Sequence, residues 1–402
     1  MDPAQRRRLI LVMGMIVAIG PMSIDMYLPS LPSLQTHFGV GEGAVQLTLS
    51  AYFVGLAIGQ LVYGPVSDRI GRRGPMLFGL SLYVLSSLVC AFAPSIEVLI
   101  GARFVQAIGG CAGMIITRAI ARDRFDTQEM ASVLSSMVLV MGVAPILAPI
   151  LGGYVLHFAG WQAIFVALAV FGVVCIVAAQ RSLPESLRAP GQPLRLGLVL
   201  GNYGRLLRHR RFMGYALSGG IASAGMFAYI SGAAFVFIEV FGIAADRFGY
   251  YFGANAAGLI VVSQLNPLLL RRFRAEFILR VALTTHALAA VVLLLMAATG
   301  WGGLWGVMVP LFVTISALGC GFPNTTAAAM APFGDRAGAA AALMGTMQFT
   351  VAAFAGSAVG YLHDGSAQPM ALVIAVCALS AVILLRVLVG RRGGLRLPPV
   401  RD

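Results

Sequence analysis

The chain has 402 residues, of which 59% are hydrophobic and only 11% are charged. Its mean hydropathy is +0.89. This composition excludes an ordinary soluble globular domain, in which about 25% of residues are charged. The formal net charge is +13, and all 28 basic residues are arginines. In a soluble protein this charge would suggest a nucleic acid partner, so the placement of the arginines along the chain decides its meaning.

Long apolar runs occupy most of the chain. About 20 helical residues cross a bilayer core of ~30 Å, and the runs of this length predict about twelve spans. They are 9–29, 44–66, 75–93, 97–117, 131–156, 161–180, 212–238, 248–270, 277–298, 303–328, 338–362 and 369–389. Apolar residues are continuous within these runs, whereas a membrane β-barrel needs alternation over ~10 residues. The sequence therefore predicts an all-α membrane protein.

The arginines predict the orientation of these spans. With the N-terminus inside, the arginines that flank the spans fall on one side of the membrane, and the opposite side holds only Arg247. Cytoplasmic loops carry such an excess of basic residues. We therefore expect both termini and the polar connection 181–211 to be cytoplasmic. A nucleic-acid-binding patch is the less favoured explanation, and no nucleic acid partner is expected.

The connection 181–211 separates six predicted spans from six. We expect an N-terminal six-helix bundle at 1–180 and a C-terminal one at 212–402, and GLAIGQLVYGP (55–65) is echoed by GLIVVSQLNP (258–267). Two similar bundles around a central cavity are typical of transporters that work by alternating access. No nucleophile elbow, P-loop or metal motif occurs in the sequence, so neither an enzyme nor a cofactor is expected.

The stretch GPVSDRIGRR (64–73) interrupts two apolar runs with a charged turn. It resembles the loop between spans two and three of the major facilitator superfamily, in which it latches one bundle to the other on the cytoplasmic side. We expect Gly64 to allow a close backbone approach and Gly71 to allow a tight turn. The residues assigned to the latch are Gly64, Asp68, Arg69, Gly71, Arg72 and Arg73. The alternative is a cluster of arginines that only sets topology.

Further stretches resemble one group within that superfamily. SIDMYLPSLP (23–32) and RFVQAIGG (103–110) are similar to span signatures of the bacterial drug:proton antiporters of the Bcr/CflA (bicyclomycin/chloramphenicol resistance) group. GVAPILAPILGG (142–153) resembles their antiporter motif, with Ala148 in place of the central glycine. The resemblance implies a functional kink at Gly142, Pro145, Pro149, Gly152 and Gly153. A kink that serves packing alone remains open.

Two ionisable residues lie inside predicted spans. Asp25 lies about 6 Å from the outer edge of the membrane, and Arg103 lies about 8 Å from the same edge. Each shares a helical face with small or polar residues, so both are expected to point into the bundle. Desolvation favours the protonated carboxyl and an arginine favours the ionised one, which suits reversible proton binding. A permanent Asp25–Arg103 ion pair is the structural alternative.

The predicted function is proton-coupled efflux of small amphipathic drugs across the bacterial inner membrane by a monomer with twelve helices in two pseudo-symmetric bundles. Polar residues in the spans are candidates for the substrate cavity: Tyr229, Asn255, Asn324, Gln348 and Gln106. The alternative function is a facilitator or proton symporter for a nutrient such as a sugar, which needs a cavity rich in hydrogen-bonding side chains. The expected partners are a drug, protons and the lipid bilayer.

Overall fold

The computed structural model describes residues 3–125, 127–183, 185–187, 196–333 and 337–390, and in these ranges it contains helices and no strands. The helices are α1 (Pro3–Asp25), α2 (Leu31–Phe38), α3 (Glu42–Ile70), α4 (Arg73–Ala91), α5 (Ile96–Arg124), α6 (Thr127–Ser182), α7 (Leu196–Arg208), α8 (Arg210–Ala234), α9 (Ala245–Leu270), α10 (Ala275–Thr299), α11 (Gly303–Met330), α12 (Ala337–Tyr361) and α13 (Gln368–Leu384). Short 3₁₀ and π segments extend α2, α8 and α13 at Leu28–Ser30, Phe235–Val240 and Leu385–Val389.

Eleven helical segments of the described chain are long and apolar enough to cross a membrane. One of them lies within α6 and covers Leu139–Ser182, which is 44 residues and twice the length a bilayer requires. At Gly160 the backbone leaves the helical region, with φ 77° and ψ 175°. Since this turn divides α6 into two spans, the described part of the chain has the twelve membrane helices that the apolar runs predicted.

The helices of the two halves pack in matching ways. In the first half α1 packs on α6 and α3 packs on α5, and in the second half α8 packs on α12 and α9 packs on α11. Between the halves α3 packs on α12 and α6 packs on α9. These contacts correspond when spans one to six are matched with spans seven to twelve. The twelve helices thus form two pseudo-symmetric bundles of six.

Glycines bring the two halves into backbone contact. A Cβ atom at Gly43 would lie 3.1 Å from the carbonyl oxygen of Gly360, and one at Gly153 would lie 2.7 Å from that of Ala245. Small residues allow membrane helices to pack this closely, and close packing drives their association in lipid. In this conformation the halves therefore meet along α3 with α12 and along α6 with α9.

The two ends of the molecule are distinguished by the residues they carry. We call the end with Arg72, Asp123 and residues 185–187 the linker face, and the end with Glu42 and His363 the opposite face. Helices α1, α8, α10 and α12 begin at the linker face, and α3, α5, α9 and α11 end there.

Candidate functional site

Asp25 is the last residue of α1 and lies at the boundary between the two halves. It is only 4% exposed, and among the described residues it has no hydrogen bond and no ion pair. The group that acts on it electrostatically from the second half is the hydroxyl of Tyr229 on α8. Asp25 is thus a buried carboxyl without a counter-ion, placed where motion of one half against the other would change its surroundings.

Arg103 on α5 is fully buried and lies between aromatic rings. Its guanidinium carbon is 4.2 Å from the ring centre of Tyr52 and 4.6 Å from that of Tyr27. Its Nη1 donates to Gln106 Oε1 at 2.6 Å, and Gln106 Nε2 donates to Ser87 Oγ at 2.7 Å. Aromatic faces attract a cation, and the attraction grows when water is excluded. The positive charge is therefore stabilised by tyrosine rings and an amide.

The structure does not bring Asp25 and Arg103 into contact. No ion pair within 4.0 Å joins them, so the permanent pair left open by the sequence is absent from this conformation. The side chain beside the guanidinium belongs instead to Tyr27, two residues beyond Asp25. Arg103 can therefore position the segment that carries Asp25 without neutralising it. The signal in the sequence was the presence of Tyr27 near the end of the first predicted span and of Tyr52 in the second.

The five cavity candidates separate into two groups. Asn255 Nδ2 donates to the Tyr229 hydroxyl at 3.1 Å, and the Tyr229 ring stacks on Phe252 with centres 5.2 Å apart. Asn255 Oδ1 is buried without a hydrogen-bond partner. These side chains lie on the second-half side of Asp25 and can offer an aromatic surface and one free acceptor to a ligand.

The other three candidates have partners elsewhere. Gln106 belongs to the Arg103 cluster, Asn324 Nδ2 donates to Asn266 Oδ1 at 2.7 Å, and Gln348 Nε2 donates to Ser223 Oγ at 2.6 Å. Each of these bonds joins two helices of the same half. The structure therefore gives these residues a packing role in this conformation.

The motif 142–153 holds the end of α1 in place. A Cβ atom at Gly152 would overlap the carbonyl oxygen of Met26, the residue after Asp25. Gly153 meets the backbone of Ala245, and a Cβ atom at Gly142 would lie 3.2 Å from the side chain of Ile260. The motif thus contacts both the Asp25 segment and the second half. Pro145 and Pro149 lie inside the helix between these glycines, and Ala148 is fully buried.

Arg72 is the centre of a network on the linker face. Its Nε donates to Asp123 Oδ2 at 2.9 Å, and its Nη1 donates to Asp68 Oδ1 at 2.5 Å and to Ser67 Oγ at 2.9 Å. The Arg72 side chain is buried although it lies at the end of the molecule. Two carboxylates and one hydroxyl therefore accept hydrogen bonds from the planar guanidinium group of Arg72. The ammonium group of a lysine does not offer donors in this planar arrangement.

Glu185 adds the segment after α6 to this network. Its carboxylate accepts from the backbone N–H groups of Arg72 at 2.9 Å and Arg73 at 3.1 Å. Partial burial acts to raise the pKa of Glu185, but four backbone N–H donors outweigh it and hold the pKa below its usual value. Neither Glu185 nor Asp123 was predicted from the sequence. The visible signal was that each of these carboxylates lies close to arginines just after the end of a predicted span.

The expected latch between the bundles differs from what the structure contains. Across the described ranges, the polar partners of Asp68, Arg72 and Arg73 all lie in the first half or in residues 185–187. The network therefore makes the first half rigid and ties it to the start of the linker. Gly71 has φ 100°, as the expected turn requires.

Gly64 does not bring two backbones together in this conformation. Among the described residues, no atom outside its own stretch of helix lies within 4 Å of a Cβ atom built there, so Gly64 faces open space. Arg69 is exposed. Within the part of the chain that the structure describes, Arg69 adds no contact to the Arg72 network, whereas the Gly64 carbonyl oxygen accepts from Ser67 Oγ at 3.1 Å.

On the opposite face a polar contact joins the two halves. The carboxylate of Glu42, at the start of α3, pairs with His363, which follows α12. Gln46 Nε2 donates to the same carboxylate at 2.5 Å, and Ser357 Oγ lies 3.0 Å from Ser50 Oγ further along the two helices. With the contact of Gly43 and Gly360, these bonds close the opposite face between α3 and α12. The sequence analysis assigned no role to Glu42 or His363.

Comparison with known proteins agrees with the fold and the motifs. The family model "Major Facilitator Superfamily" matches residues 13–357. "Uncharacterized MFS-type transporter YdgK" of Bacillus subtilis is 37% identical, with 94% of each chain covered. "Bicyclomycin resistance protein homolog" of Haemophilus influenzae is 31% identical, with 93% of this chain and 94% of that protein covered. This chain is a multi-pass membrane transporter, and it belongs to the major facilitator superfamily.

A solved structure shows the same fold at low sequence identity. The "D-xylose-proton symporter" superimposes with a TM-score of 0.75 over 96% of this chain and 99% of that one, at 15% identity. At this identity the likeness concerns the fold alone.

We predict that Gly152→Ala lowers transport about tenfold, because the added methyl group overlaps the Met26 carbonyl and overpacking typically costs 1–3 kcal/mol. Gly142→Ala is the matched control, since its methyl group meets only the flexible side chain of Ile260. Transport rates at equal membrane expression decide between them. If both variants transport equally well, the motif does not hold the Asp25 segment through Gly152.

We also predict that Glu42→Gln weakens the closure of the opposite face, because it removes the carboxyl group that contacts His363, and a typical hydrogen bond contributes about 0.5–1.5 kcal/mol. The reporter is the rate of maleimide labelling of a cysteine introduced as Ser357→Cys, since the five native cysteines are buried. The rate should rise about tenfold in Glu42→Gln. Asp364→Asn, which removes a neighbouring exposed acid, is the control. Equal labelling in Glu42→Gln and the parent would show that the pair does not hold the face closed.

Proposed function

We propose that this protein exports small amphipathic drugs across the bacterial inner membrane in exchange for protons. The observation that carries the proposal is Asp25, a buried carboxyl between the two halves with neither a counter-ion nor a hydrogen bond among the described residues. The relative named as a bicyclomycin resistance protein homolog supports drug efflux as the direction and class of transport.

The proposed coupling follows from the cost of charge in an apolar site. An ionised Asp25 without a partner pays a desolvation penalty that a bound proton removes. A cationic or polar group of a drug can also offset this penalty. Proton and drug therefore compete for the same carboxyl, and each occupant favours the conformation that accommodates it best. Exchange of one for the other on the two sides of the membrane yields antiport.

Arg103 supports this exchange as a positioning residue. It holds Tyr27 and Tyr52 by contact with their rings, and Tyr27 Oη lies 2.8 Å from Thr48 Oγ1 on α3. The segment that follows Asp25 is thereby fixed to α3 and α5. A lysine at this position lacks the planar group that fits between two rings, so Arg103 is not exchangeable for lysine in this role.

The drug site is proposed to lie between the halves near Asp25. The Tyr229 and Phe252 rings stack in this region. The ring centre of Phe53, in the first half, lies 4.7 Å from that of Phe227 in the second, and the ring centres of Phe227 and Phe349 are 5.7 Å apart. Aromatic and apolar walls with few polar groups suit amphipathic ligands of varied shape. A sugar needs many hydrogen bonds, and three of the five polar candidates are engaged within their own half, so a nutrient symporter is the second candidate.

Orientation and motion complete the proposal. The arginine distribution favours the linker face as cytoplasmic, with both termini and the connection 181–211 on that side. Residues 1–180 and 212–402 are proposed to rock as two bundles within one monomer. The Arg72 network keeps the first bundle intact during this motion, and the contact of Glu42 with His363 must break when the opposite face opens.

We predict that Asp25→Asn folds and still binds drug but loses coupling to a pH gradient, because an amide keeps the shape of the carboxyl and cannot gain or lose a proton. The measurement is drug movement in reconstituted vesicles with an imposed pH gradient. Asp246→Asn, which changes an acid that is not buried, should transport as the wild type does.

Two results would contradict the proposal at different points. Gradient-driven transport at the wild-type rate in Asp25→Asn would remove Asp25 as the proton carrier. If the wild type moves no drug and instead accumulates a sugar with the gradient, the drug assignment is wrong and the nutrient symporter is correct.

A further inference from the structure

A cavity of about 520 Å³ lies in the second half, away from Asp25 and from the boundary between the halves. It opens at the linker face, between the start of α8, the start of α10 and the end of α13. Its walls include Tyr215, Glu276, Arg280, Leu283, Val382 and Arg386. None of these residues takes part in the proposed transport mechanism.

The cavity changes from charged to apolar with depth. Glu276 and Arg280 lie in the first two turns of α10, and Arg386 lies in the π segment that ends the last span. Leu283 lies about 12 Å along α10 from its start and about 4.5 Å beyond Arg280. Val382 lies one turn below Arg386. A charged mouth above an apolar floor matches the division of a phospholipid into headgroup and acyl chain.

The arginines at the mouth have donors to offer. Arg280 Nη2 reaches Glu276 Oε1 and the carbonyl oxygen of Gly390 only at 3.5 Å each. The Arg386 side chain makes no hydrogen bond or ion pair within the part of the chain described here. Two guanidinium groups thus face one carboxylate, and their planar forks match the oxygens of a phosphate group.

The helices that flank the mouth also face lipid. Phe277 and Val281 on α10 and Ile383 and Val387 near the end of the last span are all exposed large apolar side chains. These apolar side chains lie in the same helical turns as the residues that line the cavity, but on a different face of each helix. The cavity therefore opens at the height where the headgroups of the linker-face leaflet meet its acyl chains.

We propose that this cavity binds a phospholipid with an anionic headgroup from the leaflet at the linker face. Its phosphate contacts Arg280 and Arg386, and the upper part of one acyl chain lies along Leu283 and Val382. Basic pockets between membrane helices recognise anionic headgroups in this way. The bound lipid joins α10 to the last span and so stabilises the outer side of the second half.

The chain's own C-terminal segment is the competing occupant. Residues 391–402 lie outside the described residues and follow Gly390, which lines the cavity. Their sequence contains four arginines and one aspartate. Since the mouth is itself basic, repulsion between like charges disfavours this segment and favours an anionic lipid.

The experiment measures binding of phosphatidylglycerol to the purified full-length protein in neutral detergent, by native mass spectrometry and by the shift in melting temperature. Arg280→Gln and Arg386→Gln should each weaken binding about fivefold. Arg272→Gln, which changes an exposed arginine of the same face that does not line the cavity, should bind as the wild type does. Two independent variants keep the test decisive if one of them fails to fold.

Further arms separate the possible ligands. Phosphatidylcholine should bind more weakly than phosphatidylglycerol, and millimolar inorganic phosphate should not displace the lipid. Equal affinity of wild type, Arg280→Gln and Arg386→Gln for phosphatidylglycerol would overturn the proposal. Displacement by inorganic phosphate would assign the site to a free anion. A large gain in lipid affinity after deletion of residues 391–402 would assign it to the chain's own segment.

Discussion

The cost of placing charge in an apolar medium is the constraint on which this structure depends. Arg103 and Asp25 both lie within the first half, and the protein treats them in opposite ways. The arginine lies between two tyrosine rings and its Nη1 is bonded to Gln106, so its charge has stabilising partners in this conformation. Asp25 receives no such partner among the described residues. The site is therefore built around a fixed positive charge and a carboxyl whose charge state can change.

The remaining polar contacts divide into those within a half and those between halves. The Arg72 network and the bonds of Asn324 and Gln348 join helices of a single half. Between the halves the described contacts are glycine backbones, aromatic rings and a few polar pairs, among them Glu42 with His363. Bonds within each half favour two rigid units, and an interface with few polar pairs between them allows relative motion.

The sequence predicted the architecture well because the bilayer imposes it. Continuous apolar runs specify spanning helices, and even the fused helix α6 was divided correctly, because the runs stop on either side of Gly160. The turn at Gly71 could also be predicted, since glycine is the residue that adopts φ 100° without strain. The Gly152 contact with Met26 could not, because a motif does not state which neighbouring backbone it faces.

The depth of a side chain in the membrane could be predicted from the sequence, but the direction in which it points around its helix could not. Asp25 and Arg103 were placed at similar depth, yet Tyr27 lies beside the guanidinium in place of the carboxylate. The partners of Arg72 were missed for a related reason, since Asp123 and Glu185 are distant in sequence and meet it only through the packing of α4, α5 and α6. Which side chains pair across helices depends on how each helix is rotated about its axis and how the helices pack. A single sequence does not show either.

The central claim is that Asp25 exchanges a proton for drug, and proton release on drug binding tests it most directly. Purified protein in a weakly buffered solution is mixed with a drug that it exports, and the change in pH is followed. The account predicts that the wild type releases protons as drug binds, and that Asp25→Asn binds the same drug without this release. Equal proton release by the two proteins would contradict the account.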